Sequence, residues 1–359
     1  MLSSLVREEG LARHFNTDIV MARISTVVCT SHSPWLFAQS EEWVSEGRDR
    51  YADGVQRPQV PTDSPEVSAE KHARCLRAFE VLREHVAAKK PDVLVIFGDD
   101  QTEQFTFKNL PAFNVYLGAR FEGYKISHYL GMPKRGKERQ ARPKTAANWA
   151  SVEGHPELAR ALTVGLVDRG FDVSFSAELN NPEEGMGHAI MRAATVLTPA
   201  YDVPVIPFLV NCCYGPAPRG RRCYELGRAL RETIESIPLD LSVAVVGSGG
   251  LWHMLRAPEP ILDETFDNAV LTGVRTGNAR AIADVLDGYA PPVDLADPGA
   301  VRYASNGSGM VLGIGHGSGE VRNWITAAAV ADGLPGTVVD YVPIYASPIG
   351  VAFAYWENV

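Results

Sequence analysis

The chain contains 359 residues, of which 45% are hydrophobic and 21% are charged, a composition typical of a folded globular protein with a sizeable core. The net charge of −9 and the pI near 5.5 argue against a nucleic-acid partner, and no apolar run reaches the length of a membrane span. Five cysteines without a CxxC pair indicate reduced thiols in a cytoplasmic protein rather than a disulfide framework.

The predicted strands and helices alternate along the chain. In order, the patterns predict strands at 26–30, 93–97, 171–176, 203–211 and from 241 onward, and helices at 69–89, 156–169, 221–236 and 319–332. This alternation favours a three-layer α/β fold.

Two segments do not fit this pattern. Residues 1–22 lack strand patterning, and we expect them to be a dispensable N-terminal extension. Residues 106–154 are predicted to be irregular, and a cluster of lysines and arginines makes 134–144 strongly basic. We interpret this basic stretch either as a solvated surface loop or as a lid that attracts an acidic substrate.

Polar side chains follow four of the predicted strands. They are His32, the run Asp99-Asp100-Gln101, Asn211 and the stretch Ser248–His253, while His188 and Glu320 lie beside predicted helices. Open α/β sheets bind ligands at the carboxyl ends of their strands, so this recurrence predicts a site, although each histidine alone could be an ordinary core residue. We expect Cys212 and Cys213 to be small packing residues, with an oxidation-sensitive thiol as the alternative.

Common phosphate-binding and nucleophile motifs are missing from these clusters. The stretch GSGG at 247–250 lacks the lysine and hydroxyl of a phosphate loop, and SNGSGM at 305–310 is not a credible nucleophile elbow. Dispersed histidine, glutamine, aspartate and glutamate are instead typical of a mononuclear metal site of the non-haem Fe(II) kind.

Five motifs in order carry a family resemblance: SHSPWL, FGDDQTEQF, GMGHAI, GSGGLWH and GEVRNW. Together they resemble the class III extradiol ring-cleavage dioxygenases. The resemblance implies an α/β/α sandwich with a central mixed sheet, formed by a single catalytic domain over 23–359. It also implies Fe(II) as cofactor, His32 and Glu320 as metal ligands, His188 as a substrate-binding histidine and His253 as the catalytic acid/base.

The second motif departs from the family pattern, because Gln101 stands where the resemblance implies a metal-binding histidine. Three interpretations remain open. Gln101 binds the metal through its amide oxygen, Asp100 or Asp99 takes over as ligand, or the metal is lost. We predict a retained site with His32, Glu320 and either Gln101 or Asp100 as ligands.

The function implied by the resemblance is the Fe(II)-dependent extradiol cleavage of a catechol-type or aminophenol-type ring with O₂, in aromatic-compound degradation. The expected partners are therefore a small aromatic substrate and O₂, and we expect a homo-oligomer. Two alternatives stay open: a metal-free or differently metallated binding protein of the Memo type, and a metal-dependent hydrolase on the same fold.

Overall fold

A mixed sheet of eight strands forms the centre of the computed structural model, which describes residues 20–46, 60–126, 143–253, 262–289, 318–346, 348–357 and 359. The strands are β1 (Arg23–Thr30), β2 (Val93–Gly98), β3 (Phe113–Tyr116), β4 (Arg120–Tyr124), β5 (Trp149–Glu153), β6 (Ser174–Ser176), β7 (Val205–Val210), β8 (Ser242–Ser248), β9 (Thr337–Ile344) and β10 (Ile349–Trp356). The large sheet has the order β6-β3-β7-β2-β8-β1-β10-β9, while β4 and β5 pair separately.

Helices cover both faces of this sheet. They are α1 (Ser40–Glu46), α2 (Pro65–Lys89), α3 (Pro156–Asp168), α4 (His188–Leu197), α5 (Gly220–Glu235), α6 (Glu264–Arg275), α7 (Ala279–Asp287) and α8 (Val321–Val330). The long helix α2 begins where the sequence signals a start, because Ser64 accepts a hydrogen bond from the Val67 backbone N–H and Pro65 occupies the first turn. None of the described helices is long and apolar enough to cross a membrane.

Strand β2 shows how the sheet divides the core into two layers. Val95 and Phe97 face a cluster that includes side chains of α3, α5 and α8, whereas Leu94 and Ile96 face a cluster built with α2 and α4. This alternation follows from the two-residue period of a strand, and burial on both faces explains the unbroken apolar run. The three-layer α/β architecture with a mixed sheet is confirmed.

Three neighbouring strands carry the residues of interest to one edge. Strands β2, β8 and β1 are adjacent and parallel, so the segments that follow them emerge side by side. Parallel strands place their carboxyl ends at the same edge of a sheet, which is where open α/β sheets bind ligands. The topology thus brings together His32, the Asp99 turn and the stretch after Ser248.

The prediction of an irregular 106–154 segment is wrong for its described parts, 106–126 and 143–154. Strand β3 joins the large sheet between β6 and β7, and β4 pairs antiparallel with β5. Only four or five residues form each strand, and the partners β4 and β5 are far apart in sequence, so no local hairpin pattern marks them. The residue pair Gly123 and Gly185 forms a further bridge that ties this small ribbon to the start of α4.

Two C-terminal strands were not predicted at all. Strand β10 pairs with β1 and β9 pairs with β10, both antiparallel, at the edge of the sheet beyond β1. Pro343 and Pro348 interrupt the apolar run around the turn, which weakens the strand pattern in the sequence. The predicted strand 171–176 also proved shorter, because only β6 pairs with the sheet.

The predicted N-terminal extension and the predicted basic loop lie largely outside the described residues. Of the predicted extension, only 20–22 are described, and Ala22 is buried with its N–H bonded to the carbonyl of Ile237. The basic stretch 134–144 lies outside apart from 143 and Lys144, whose ammonium pairs with Glu183 at 3.2 Å.

Candidate metal centre and active site

His32 follows β1 and enters a buried cluster at the carboxyl edge of the sheet. Its Nδ1 lies 3.0 Å from Ser248 Oγ, and the Ser248 hydroxyl donates its only hydrogen to the carbonyl oxygen of Ala189 at 2.6 Å. The hydroxyl can therefore only accept from His32, so Nδ1 carries a hydrogen and Nε2 is the nitrogen directed at the neighbouring carboxylates. Metal-binding histidines are commonly oriented in this way by a hydrogen bond at the second nitrogen.

Glu320 lies buried at the amino end of α8 and faces two histidines. Its Oε2 is 3.3 Å from Nε2 of His32, and its Oε1 is 3.1 Å from Nε2 of His253. The backbone N–H of Gly250 also donates to Oε2 at 2.8 Å. Burial alone would raise the pKa of Glu320, but His253 and His32 hold it well below its ordinary value, so Glu320 is a carboxylate.

Asp99 has one buried carboxylate oxygen with no hydrogen-bond partner among the described residues. Its Oδ2 accepts from Nε2 of Gln101 at 3.1 Å and lies 3.6 Å from the thiol of Cys213. Its Oδ1 has no such partner and lies 3.6 Å from Nε2 of His32. Burial raises the pKa of Asp99, and the charge of Glu320 raises it further. An unsatisfied buried acceptor costs about 1–3 kcal/mol, a cost that a bound cation would remove.

These donor atoms fit a divalent metal ion. Nε2 of His32 lies 3.6 Å from Oδ1 of Asp99 and 3.3 Å from Oε2 of Glu320, an arrangement that either a hydrogen on Nε2 or a metal ion between these atoms would stabilise. One imidazole with two carboxylates is a donor set that suits Fe(II) or Mn(II) better than a tetrahedral zinc site rich in nitrogen and sulfur.

The structure differs from the sequence prediction for Asp100. Its Oδ1 accepts from the backbone N–H of Gln104 at 2.8 Å, and its Oδ2 accepts from the N–H of Phe105 at 3.0 Å. Burial, followed by the charge of Glu103, raises the pKa of Asp100 to about 7. Because both oxygens of this side chain close the turn after β2, Asp100 is committed to the backbone and does not face His32.

Gln101, the other residue predicted as a ligand, contacts Asp99. A carboxylate cannot accept from a carbonyl oxygen, so the amide group of Gln101 must direct its nitrogen to Asp99, as it does at 3.1 Å. Its oxygen points elsewhere, which leaves Gln101 as a residue that orients Asp99. The next residue, Thr102, has a φ of 68°, in the left-handed region.

His188, the first residue of α4, reaches the same cluster and is paired with Glu103. Its Nδ1 lies 2.9 Å from both carboxylate oxygens of Glu103, and its backbone N–H donates to Oε1 at 2.9 Å. Burial alone would lower the pKa of His188, but Glu103 raises it above its ordinary value. Burial likewise opposes ionisation of Glu103, yet His188 and then Arg192 hold its pKa at about 2.

His188 also approaches His32 and Asp99. The rings of His188 and His32 are 4.8 Å apart between centroids and nearly perpendicular. One ligand atom from each of His32, Asp99 and His188 falls within a common distance of 4.8 Å. Arg192, one helical turn further along α4, donates from Nη1 to the carbonyl oxygen of His32 at 2.9 Å and so fixes the helix to this segment.

His253 lies on the opposite side of Glu320. Burial alone would lower its pKa, but Glu320 raises the pKa of His253 to about 9. Its Nδ1 lies 3.3 Å from the carbonyl oxygen of Leu251, and the residue bridges to Ile349 of β10. His253 thus touches the cluster through one carboxylate and is positioned to exchange a proton at Nε2.

A small pocket, partly open to solvent, lies beside His188. It is lined by Glu103, Tyr124, Ile126, Glu184, Gly185, Met186 and His188. Aromatic and aliphatic side chains with a few polar groups are typical of sites for small ligands.

Asn211, which also follows a strand, is not part of the cluster. Its amide donates to the carbonyl oxygen of Tyr214 and accepts from the Tyr214 backbone N–H, so it braces the loop after β7. Cys212 is buried with its thiol 3.6 Å from Oδ1 of Asn323, whereas Cys213 lies beside Asp99.

Sequence reasoning missed Glu103, Arg192 and the role of Ser248. Glu103 lies two residues beyond Gln101 in the motif FGDDQTEQF. The aspartates of this motif were considered as ligands, so Glu103 could have been identified as a site residue from its position. Arg192 follows His188 by four residues, which places both on one face of a helix. Ser248 carried no signal, because nothing in a sequence shows which histidine a serine contacts.

Several known proteins are similar in sequence to parts of this chain. A gallate dioxygenase of Pseudomonas putida is 36% identical over 108 residues, covering 29% of this chain and 30% of the relative. A 2,3-dihydroxyphenylpropionate/2,3-dihydroxicinnamic acid 1,2-dioxygenase of Photorhabdus laumondii is 30% identical over 206 residues, covering 56% and 55%. The chain therefore spans less than two thirds of the length of these two relatives.

Coverage is wider at lower identity. The 2,3-dihydroxyphenylpropionate/2,3-dihydroxicinnamic acid 1,2-dioxygenase of a Mycobacterium species is 25% identical over 284 residues, which cover 71% of this chain and 82% of that protein. Residues 27–291 match the family model described as the catalytic LigB subunit of aromatic ring-opening dioxygenase. With most of its length matched, the chain belongs to the LigB family, in agreement with the class III extradiol resemblance of its motifs.

Proposed function

We propose that this protein is a non-haem Fe(II)-dependent dioxygenase that uses O₂ to open the ring of a small catechol-type or aminophenol-type substrate, as a step in aromatic-compound degradation. Family membership supports the class of reaction. The observation that carries the proposal is Asp99 Oδ1, a buried carboxylate oxygen without a hydrogen-bond partner that faces Nε2 of His32. Such an atom is expected where a cation binds.

His32, Asp99 and Glu320 would hold the metal ion in this proposal. Asp99 thus takes the place that we had assigned to Gln101 or Asp100. When bound, Fe(II) would lower the pKa of a chelating substrate hydroxyl and supply the electron transfer to O₂. The two carboxylates balance the charge of a divalent ion, so the loaded centre would carry little net charge in its buried surroundings.

His253 would serve as the catalytic acid and base. Its Nε2 lies 3.1 Å from Glu320, at the rim of the cluster, and the ring is partly exposed. With a pKa raised to about 9, the ring carries a proton near neutral pH, so His253 would donate this proton from Nε2 to the opened ring and regain it from a substrate hydroxyl. General acid–base help of this kind contributes roughly 100- to 10,000-fold to a rate.

The pocket beside His188 would hold the aromatic ring. Tyr124, Ile126 and Met186 provide apolar contacts there, while Glu103 and Glu184 add polar groups. The pocket is partly open to solvent, which gives a path for a ligand.

The rival functions predict different behaviour toward metals. A metal-free binding protein of the Memo type would leave Asp99 Oδ1 unsatisfied at a cost of about 1–3 kcal/mol. A hydrolase would use zinc, and its activity would not consume O₂.

Anaerobic reconstitution separates these functions. The protein is loaded with Fe(II), Mn(II) or Zn(II), the bound metal is quantified, and O₂ uptake is followed with catechols and 2-aminophenols, with and without carboxylate substituents. We expect one Fe(II) per chain and substrate-dependent O₂ uptake that His32→Ala abolishes. Failure to bind Fe(II), or hydrolysis by the zinc form with no O₂ uptake by the iron form, would overturn the proposal.

A further inference from the structure

Resting on the proposed Fe(II) function, we infer that His188 is a metal ligand in this chain and joins His32, Asp99 and Glu320 around the ion. Gln101 cannot supply the missing donor, because its amide nitrogen is turned to Asp99. Without a further residue, His32 would be the only imidazole in the set. Among the described residues, donor atoms of His188, His32 and Asp99 lie within 4.8 Å of one another. Asp99 and Glu320 form a second such group with Cys213, but burial raises the pKa of that thiol, which makes it the poorer donor.

The tautomer of His188 is fixed by Glu103. Both carboxylate oxygens of Glu103 lie 2.9 Å from Nδ1, and a carboxylate at the low pKa of Glu103 only accepts hydrogen bonds. Nδ1 therefore carries a hydrogen, and Nε2 is the nitrogen available to a ligand. A carboxylate that holds a histidine in this way is a recurrent feature of metal sites, where it also strengthens the imidazole as a donor.

The rings of His32 and His188 are thus oriented in the same manner, by a hydrogen bond at Nδ1. Ser248 accepts from Nδ1 of His32, and Glu103 accepts from Nδ1 of His188, so each ring has its Nε2 left for an ion. The unpartnered Oδ1 of the fully buried Asp99 lies 3.6 Å from His32 Nε2. Two imidazole lone pairs and an unsatisfied carboxylate oxygen in one cluster constitute a donor set that a divalent cation would satisfy.

The spacing of the donors requires only a small adjustment. Donors of His32, Asp99 and His188 lie within 4.8 Å of one another. Nitrogen and oxygen donors bind an ion such as zinc at about 2.1 Å, so three donors spread evenly around one ion are about 3.6 Å from one another. A closure of up to roughly 1 Å brings all three to one ion, which side-chain rotation can provide.

Arg192 anchors helix α4, which begins with His188, to the segment that carries His32. Its guanidinium is buried and bonds the carbonyl oxygens of His32 at 2.9 Å and Ile126 at 2.6 Å. One turn of helix α4 separates Arg192 from His188, so this anchor fixes the distance between the two histidine-bearing segments. It also offsets the charge of Glu103, which allows a buried carboxylate to remain ionised behind the ligand.

Counting the coordinated imidazoles of the Co(II)-loaded protein by ¹H NMR tests this inference without an activity measurement. Each coordinated histidine that keeps its Nδ1–H contributes one exchangeable, strongly shifted proton signal. The unaltered protein should give two such signals, one from His32 and one from His188. A single signal would overturn the inference and needs no variant that could fail to fold.

Variants of the protein then assign each shifted proton signal to a histidine and measure how much each residue contributes to the affinity for Co(II). His188→Gln should lose one signal and bind Co(II) at least 10-fold more weakly in competition with a chromophoric chelator. Glu103→Gln should weaken binding roughly 10- to 100-fold, the usual effect of losing the residue that orients a ligand. Glu184→Gln, a carboxylate change in the same pocket, serves as the matched control and should leave metal affinity unchanged.

The inference and the proposed function fail in distinguishable ways. If His188→Gln keeps both the affinity and the number of shifted signals of the unaltered protein, while Fe(II)-loaded protein still consumes O₂ with a catechol, only the role of His188 is wrong. If the unaltered protein binds neither Co(II) nor Fe(II), the proposed function fails and the inference fails with it.

Discussion

Asp99 and Asp100 are adjacent carboxylates with opposite tasks. Asp99 directs one buried oxygen toward His32 without a hydrogen-bond partner, whereas both oxygens of Asp100 accept from the backbone of the following turn. The first arrangement lowers the stability of the metal-free protein and favours an ion, and the second stabilises the turn. Exchanging each for asparagine therefore separates binding from stability.

Asp99→Asn should abolish tight metal binding and raise the stability of the metal-free protein by about 1–3 kcal/mol, because the new amide N–H can donate to Nε2 of His32. Asp100→Asn should keep the metal and lose about 1–3 kcal/mol, since asparagine has one acceptor for the two N–H groups of Gln104 and Phe105. Metal analysis and urea unfolding of metal-free protein measure both effects. Loss of metal in Asp100→Asn with retention in Asp99→Asn would reverse our assignment.

His253→Ala should leave the metal bound and reduce turnover by roughly 100- to 10,000-fold. The reason is its place beside Glu320, outside the group formed by His32, Asp99 and His188. Metal content and steady-state turnover of the reconstituted enzyme provide the measurements. His155→Ala is the matched histidine control, because His155 only caps α3 and its loss should cost about 1 kcal/mol of stability without affecting turnover. Loss of iron from His253→Ala would instead identify it as a ligand.

At the level of elements, the site depends on how closely α8 approaches the end of β8. A Cβ atom on Gly249 would lie 2.9 Å from Cβ of Glu320, so glycine is required for the helix to present its glutamate there. The next residue, Gly250, uses its N–H to hold that glutamate. The glycine-rich turn after β8 is thus a contact surface for α8.

Asp267 on α6 connects three elements near the site. Its carboxylate accepts from the backbone N–H of Trp252 at 2.7 Å and from the hydroxyl of Tyr341 on β9 at 2.7 Å. Burial raises the pKa of Asp267 to about 7, although both hydrogen bonds oppose this change. The folded protein therefore holds a proton here that the unfolded chain has released above a pH of about 4.

The stabilising effect of that protonated Asp267 should be fully present below about pH 4 and lost as the pH rises through about 7. Asp267→Asn keeps the shape but does not titrate, so its free energy of unfolding should rise relative to the unaltered protein over this range. At about 1.4 kcal/mol per pKa unit, the relative change reaches at most about 4 kcal/mol. Urea unfolding of both proteins at pH 4 to 8 tests this, and a constant difference across the range would contradict the assignment.

For the whole molecule, the buried acidic cluster couples metal binding to stability. A ligand that binds only the folded state stabilises it by about 2.7 kcal/mol when its concentration is 100 times the dissociation constant. We expect anaerobic Fe(II) to raise the thermal unfolding temperature in a concentration-dependent manner, whereas Asp99→Asn should show no such increase. Equal responses of the two proteins would mean that the stabilising ion binds elsewhere.

Periodicity in the sequence was sufficient for the layers of the fold, because burial on both faces makes β2, β7 and β8 unbroken apolar runs and amphipathic helices separate them. It was not sufficient for β3 to β5 or for β9 and β10. Their pairing partners are distant in sequence, and short strands near a sheet edge carry weak patterns. Strand identity in those places depends on contacts that form only in the folded chain.

The sequence by itself determined which residues gather at the site, since His32, Asp99, His188, His253 and Glu320 all stand at strand ends or helix starts that the parallel sheet must bring to one edge. Only the tertiary structure decided which atoms face one another. A turn of a few residues after β2 can present Asp99, Asp100 or Gln101, and in the folded chain the backbone N–H groups of Gln104 and Phe105 occupy both oxygens of Asp100. Likewise, the hydrogens on His32 and His188 are placed by Ser248 and Glu103, which are distant in sequence from the histidines they orient.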